Sequence, residues 1–180
     1  MTLALPSPPV DSERMPGRPR KISAVERGAW ASICSDDSEL TETDDVILVT
    51  PAREAVTATA RRARLAASRA ITVKVRLTDA PLLSAVDGAG LESALLNLCV
   101  NAGHAMPTGG ALFLSAAVVG DDIVLSVRDT GCGMSPAVLA RATEPYFTTR
   151  RGQGGTGLGL AGVRAFAVRS HGRFELASRE

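Results

Sequence analysis

From Val46 onward the chain alternates between short apolar runs and longer stretches with helical spacing. "VILV" at residues 46–49 predicts a strand, and Pro51 stands where a helix can begin. Residues 52–68 are rich in Ala and Arg, both good helix formers. "ITVKVRL" alternates apolar and polar positions, the period of a strand with one buried face. Asp87 is a candidate N-cap for a helix from about Gly90 to Met106, which Pro107 and Gly109-Gly110 would end. "ALFLSAAVV", the turn Gly120-Asp121-Asp122 and "IVLSVRD" predict a β-hairpin. A short helix in "PAVLARAT", another over residues 157–170 stopped near Gly172, and a strand in "RFELAS" complete the pattern. Helices interleaved with strands and one hairpin predict a mixed sheet, and no internal repeat is visible.

Residues 1–44 read differently. Pro6, Pro8, Pro9, Pro16 and Pro19 are followed by the acidic cluster Asp36, Asp37, Glu39, Glu42, Asp44 and Asp45. A segment of that composition buries little and is expected to be disordered, with Trp30 and Ile33 as its possible docking residues. The expected domain therefore runs from residue 45 to 180. Its apolar content suffices for one core, at 45% of 180 residues for the whole chain. A net charge of +1 and 3% aromatic residues argue against nucleic acid as a partner. Cys34, Cys99 and Cys132 are odd in number and lack metal-ligand spacing, so they read as reduced thiols, with Cys132 as a small buried residue. His104 and His171 are the only histidines, which argues against a zinc site. No apolar run nears the ~20 residues of a membrane span, and the start has no secretory pattern. The expectation is a cytoplasmic protein without direct membrane insertion.

Residues 157–162, "GLGLAG", match the GxGxxG pattern. A dinucleotide fold needs a buried strand directly before the first glycine, but here stands the polar "TTRRGQGGT". No Gly-Lys-Ser/Thr follows, so a P-loop is also excluded. A flexible loop running into a helix N-terminus remains, which suits phosphate; the plain alternative is a linker.

Two further stretches carry polar groups. The helix near 90–106 has an apolar stripe at Leu91, Ala94, Leu95, Leu98, Ala102 and Ala105. Asn97, Asn101 and His104 share a second stripe beside it. The two asparagines suit a hard cation such as Mg²⁺ or a phosphate; the alternative is a solvated polar face. In "IVLSVRDTGCGM", alternation puts Asp129 in one row with Ile123, Leu125 and Val127. A carboxylate in an apolar row needs a donor, and a purine amino group can supply one; the alternative is an Asp that caps the turn. The stretch "EPYFTTRRG" adds Thr148, Thr149, Arg150 and Arg151, and the arginines can meet a γ-phosphate or form a solvated pair.

"NLCVNAGHAM", "DTGCGM", "EPYFTT" and "GGTGLGL" resemble, in order and rough spacing, the N, G1, F and G2 boxes of sensor histidine kinases. Those boxes mark the ATP-binding catalytic domain within the GHKL superfamily, and the resemblance covers about residues 46–180. It implies the Bergerat fold, an α/β two-layer sandwich with a mixed β-sheet and helices on one face. It implies that ATP binds under a flexible lid. By position, Asp129 would bind the adenine amino group, with Gly131 and Gly133 shaping the pocket. Asn101 would ligate Mg²⁺, with Asn97 close to the phosphates and His104 beside them. Thr148, Thr149 and Thr156 would support the nucleotide. Gly155, Gly157, Leu158 and Gly159 would close the lid and turn helix amides toward phosphate. Hydrolases of the superfamily carry a general-base glutamate where Asn97 stands, and an amide cannot take a proton, so phosphoryl transfer is expected rather than hydrolysis.

The chain departs from the family in three places. Neither His104 nor His171 has the flanking residues of a phosphoacceptor, so the acceptor histidine is expected on a separate dimerisation domain. Gly103-His104 stands where relatives have Arg-Asp. The chain stops at "ELASRE", where the family continues to a final strand, so the sheet is expected to lack it. The leading expectation is a Mg-ATP-dependent histidine kinase domain that serves a phosphoacceptor domain or a response regulator. The alternative is a non-catalytic remnant or interaction module; serine phosphorylation, as in anti-sigma-factor kinases, fits the F box less well.

Overall fold

A computed structural model describes residues 1–6, 52–66, 70–80, 82, 86–120 and 122–180. Its five strands are β1 (Thr2–Pro6), β2 (Ile71–Leu77), β3 (Gly110–Val119), β4 (Asp122–Asp129) and β5 (Arg173–Glu175). Its α-helices are α1 (Ala52–Ala66), α2 (Gly88–Ala105), α3 (Pro136–Leu139) and α4 (Gly159–Arg169). The expected strand at 46–49, the helix start at Pro51, and Trp30, Ile33 and Cys34 lie outside the described residues.

The strands form one mixed sheet in the order β2-β3-β4-β1-β5. β2 and β3 are parallel, with α2 as the connection between them, and every other pairing is antiparallel. α2 starts where Asp87 caps it: Oδ1 accepts from Ala89 N at 3.1 Å and Oδ2 from Gly90 N at 3.0 Å. This satisfies two of the amides that a helix start leaves without partners. The expected hairpin is β3–β4, paired from Val119↔Asp122 to Leu112↔Asp129.

The helix-facing row of the sheet includes Leu112, Leu114 and Ala116 on β3 and Ile123, Leu125 and Val127 on β4, all buried. They form one cluster with Leu91, Leu95 and Leu98 of α2, Val56 of α1, and Val163 and Phe166 of α4. α1 is tied to α2 by Arg62 and Glu92 at 2.7 Å. The opposite row is mixed: Ala117 and Val124 are buried, whereas Lys74 and Arg128 flank the ring of Phe113 at 5.4 and 5.7 Å from its centroid.

β1 corrects the expectation that residues 1–44 are disordered. Thr2–Pro6 occupy an interior position of the sheet, between β4 and β5, and the rest of that stretch lies outside the described residues. The proline-rich composition averages over a long segment and hides the short strand that begins it. Met1 and Leu3 are buried in the core, and Val127 N donates to the Met1 carbonyl at 3.3 Å. Arg173 and Asp122, on the two strands flanking β1, pair across it at 3.3 Å. No strand follows β5 among the described residues, and β1 takes the position beside it.

Candidate functional site

The second half of α2 carries the polar stripe anticipated above. Asn97 and Asn101 are half-buried one turn apart, and His104 is exposed near the helix end. The start of α4 arrives against this stripe. A Cβ on Gly159 would lie 3.4 Å from Asn101 Nδ2 and 3.9 Å from Asn97 Oδ1, so the backbone at the helix start approaches both amides. The ladder of α4 begins with Gly162 N donating to Leu158 O at 2.8 Å. The amides ahead of it have no acceptor within the helix and carry its partial positive charge.

Asp129 ends β4 in the row of Ile123, Leu125 and Val127, as the alternation implies. Its Oδ1 accepts from Gly131 N at 2.9 Å, which fixes the turn, and its Oδ2 has no donor among the described residues. The turn packs on the end of α2. Cys132 N donates to Ala105 O at 3.0 Å, and a Cβ on Gly131 would lie 2.5 Å from the Ala105 methyl. Gly133 has φ +70 and faces the Arg179 carbonyl, so the last residues of the chain line this turn. Thr130 is a structural position beside the site that the sequence reading missed. Its hydroxyl accepts from Ala111 N at 3.0 Å and lies 3.7 Å from Met106 Sδ, which joins the turn to β3 and to the end of α2. Its place directly after Asp129 in "DTGCGM" was the available signal.

The loop from Glu144 to Leu158 closes on itself. Tyr146 N donates to Gly157 O at 3.0 Å and Gly155 N to Arg150 O at 3.1 Å, around a 3₁₀ turn at Arg151–Gln153. Gly157 has φ +69, and a Cβ there would fall 2.5 Å from the Tyr146 carbonyl carbon, so only glycine fits. At the base, Arg141 stacks 4.3 Å from the Phe147 ring centroid and bonds Glu144 at 2.9 Å. Arg164 of α4 donates to Thr143 at 3.2 Å.

These placements sort the expected site residues. Asn97, Asn101 and Gly159 meet at one locus, while Asp129, Gly131 and Gly133 form a second locus against the end of α2. The Thr148 hydroxyl accepts from Arg150 N at 3.0 Å and the Thr156 hydroxyl from Leu158 N at 3.4 Å, so both shape the loop. Thr149 and Arg151 are exposed, and Leu158 caps α4 while partly exposed itself. Arg150 reaches α2, where its Nη1 lies 2.6 Å from His104 Nδ1. Burial, and then the charge of Arg150, lower the His104 pKa from its ordinary value, so the imidazole favours its neutral form.

The cysteines divide. Cys99 is buried in the core, and burial pushes its thiol up to about 12, so it stays protonated. Cys132 is exposed, which corrects the reading of it as buried: the turn after Asp129 carries it to the surface. Among the described residues no group of three or more His, Cys, Asp and Glu side chains is placed to hold a metal, and no helix is long and apolar enough to cross a membrane. An open cleft of about 330 Å³ lies at the other end of α2, around Asp87, Phe166 and His171. Both carboxylate oxygens of Asp87 are engaged there by the helix cap.

Residues 86–180 match the family described as histidine kinase-, DNA gyrase B-, and HSP90-like ATPase, which is more than half of the chain. The chain belongs to this family. It carries the ATP-binding catalytic domain of sensor histidine kinases, with the mixed five-stranded sheet and helices expected of that fold. The sensor histidine kinase ZraS of Klebsiella oxytoca is 40% identical over 59% of this chain and 23% of its own length. The histidine protein kinase DivJ of Caulobacter vibrioides is 36% identical over 71% of this chain and 22% of its own length. The chain thus spans less than a quarter of these relatives. Among solved structures, the mycobacterial sensor histidine kinase MprB aligns with a TM-score of 0.58 and 28% identity, covering 70% of this chain and 80% of that one. Full-length ShkA in complex with AMPPNP aligns with a TM-score of 0.52 and 26% identity, covering 74% of this chain and 27% of that one.

The residues present fit a nucleotide. The amides of Asn97 and Asn101 have no hydrogen-bond partner among the described residues and face a helix start. Asp129 keeps one carboxylate oxygen unpaired beside a turn of small residues. The first locus suits a phosphate chain with a hard cation and the second suits a flat base bearing an amino group.

Proposed function

We propose that the chain binds Mg-ATP at these two loci and transfers the γ-phosphate to a histidine on a separate phosphoacceptor domain. The observation that carries the reading is the approach of the α4 start to Asn97 and Asn101. In this reading Asp129 Oδ2 accepts from the adenine amino group while Oδ1 holds the turn. Gly131, packed on Ala105, and Gly133, packed on the Arg179 carbonyl, shape the turn beside the base. The Asn101 amide oxygen is the Mg²⁺ ligand; the cation would neutralise charge on the phosphate oxygens. Asn97 orients the phosphates, and Arg150, with Arg151 beside it on the lid, offsets charge on the transferred group. Thr148 and Thr156 support the site indirectly by holding the loop.

An amide at Asn97 has no basic site, so nothing at that position draws a proton from water. This supports transfer over hydrolysis. The acceptor imidazole is its own nucleophile, and the domain contributes placement and charge. Neither histidine of the chain suits the role of acceptor: His104 is bonded to Arg150, and His171 lies in the turn between α4 and β5 with φ +56. That feature also favours the second reading, a nucleotide-binding interaction module that engages a kinase or response regulator without transfer. A cytoplasmic location fits either.

Two measurements decide. Calorimetric titration with Mg²⁺ and a non-hydrolysable triphosphate analogue should show saturable binding; a folded protein that gives no heat would remove the nucleotide reading. Incubation with γ-labelled ATP and a supplied phosphoacceptor domain should label that domain on histidine. Binding without any label on the acceptor would select the interaction module.

A further inference from the structure

His104 and Arg150 are 46 positions apart and meet at 2.6 Å between Nδ1 and Nη1. A guanidinium can only donate, so Nδ1 accepts and the ring proton sits on Nε2. The lowered pKa of the imidazole agrees with this assignment. The hydroxyls of Thr148 and Thr156 bond within the loop; among the described residues, Arg150 is the lid side chain that crosses to α2.

We infer that His104 is a positioning residue for Arg150, holding its guanidinium one turn beyond Asn101 for the terminal phosphate of the nucleotide. The inference rests on the nucleotide reading proposed above and replaces the expectation that His104 itself touches the ligand. Two physical arguments support it. A long side chain on a loop loses much rotamer freedom when fixed, and an acceptor already in place takes part of that loss before ligand arrives. The acceptor is also neutral. A carboxylate in its place would fix Arg150 but offset its charge, whereas imidazole leaves the full positive charge for phosphate. The glutamates of α2 and of the loop are engaged elsewhere: Glu92 of α2 pairs with Arg62 at 2.7 Å, and Glu144 of the loop with Arg141 at 2.9 Å.

The test compares His104→Ala, His104→Asn, Arg150→Ala and the double alanine variant. Asn places an amide oxygen where Nδ1 stands and keeps an acceptor. Affinities are measured by calorimetry for Mg-AMPPNP and for Mg-ADP, which lacks the third phosphate. His104→Ala should weaken AMPPNP binding by about 3- to 10-fold, the scale of ordering one long side chain, and change ADP binding by less than about 2-fold. His104→Asn should restore most of the loss, and the double variant should bind no worse than Arg150→Ala. Equal losses for both nucleotides, no effect of His104→Ala, or additive losses in the double variant would overturn the assignment. A second arm needs no nucleotide: the rate of tryptic cleavage after Arg150 and Arg151, against that after Arg141. His104→Ala should speed cleavage of the loop while His104→Asn should not, and an unchanged rate in His104→Ala would refute the contact. If the wild type binds neither nucleotide, the nucleotide reading fails by itself and the cleavage rates still decide whether His104 holds the loop.

Discussion

Asp129 has one oxygen bonded to the fold, and the proposed reading gives the other to the adenine amino group. Oδ1 accepts from Gly131 N, and Oδ2 is left unpaired. Asp129→Asn separates the two duties. The amide oxygen can still accept from Gly131, so thermal stability should change little. The NH₂ group, however, meets the adenine amino group donor to donor. Affinity for Mg-AMPPNP should fall by about 100-fold or more, the scale expected when a buried polar contact is reversed. Calorimetry beside a thermal scan checks both halves, and retained affinity would place the base elsewhere. In the same proposed reading Asn101 acts through a single oxygen. Asn101→Ala should remove most of the difference between binding with Mg²⁺ and binding in EDTA, and an undiminished difference would take Asn101 out of the metal site.

The two long helix–loop units show what an element's glycines do. Gly103 lies inside α2 with nothing within 4 Å of a Cβ, so Gly103→Ala should stabilise the protein by about 0.5–1 kcal/mol. Gly157 lies at φ +69 against the Tyr146 backbone, and Gly157→Ala should destabilise by more than about 1 kcal/mol and loosen the lid. Urea unfolding of the two variants should give midpoints on opposite sides of the wild type. The same elements show how far the sequence was legible. α2, the hairpin and the start of α4 follow from local signals: Asp87 as cap, period-2 alternation ending at Asp129, and glycines before an apolar helix. The G1 turn was legible because Asp129 broke an apolar row. The loop's own bonds were not. Thr148 and Thr156 are expected at the nucleotide from the sequence, and only the folded backbone shows that their hydroxyls accept from Arg150 N and Leu158 N. The His104–Arg150 contact joins distant positions that no periodicity relates.

At the scale of the whole molecule, the first strand is the part the sequence concealed. Thr2–Pro6 are too few to shift the composition of a proline-rich segment, and their partners lie at residues 122–127 and 173–175. Removing residues 1–6 strips Met1 and Leu3 from the core and leaves β5 without its neighbour. The loss should be at least about 3 kcal/mol, from two buried apolar side chains alone. Chemical denaturation of the shortened protein checks this, and full stability would show that β1 is dispensable. Moving the same six residues behind Glu180 through a short glycine-rich turn should restore the fold, because β1 runs antiparallel to β5 as the second arm of a hairpin does.

The position of β1 also sets an order of events during synthesis. β1 is translated well before β4 and β5, the two strands it must join. At ordinary elongation rates that interval is on the order of 10–30 s. Until β4 has been made, β1 has no neighbour, and until β5 has been made it has one of its two. Completion of the sheet therefore waits on the pairing of longest range among the described strands, Thr2 with Glu175. A nascent chain halted within β3, before β4 is made, should expose β1 to proteolysis, and one extended past β5 should protect it.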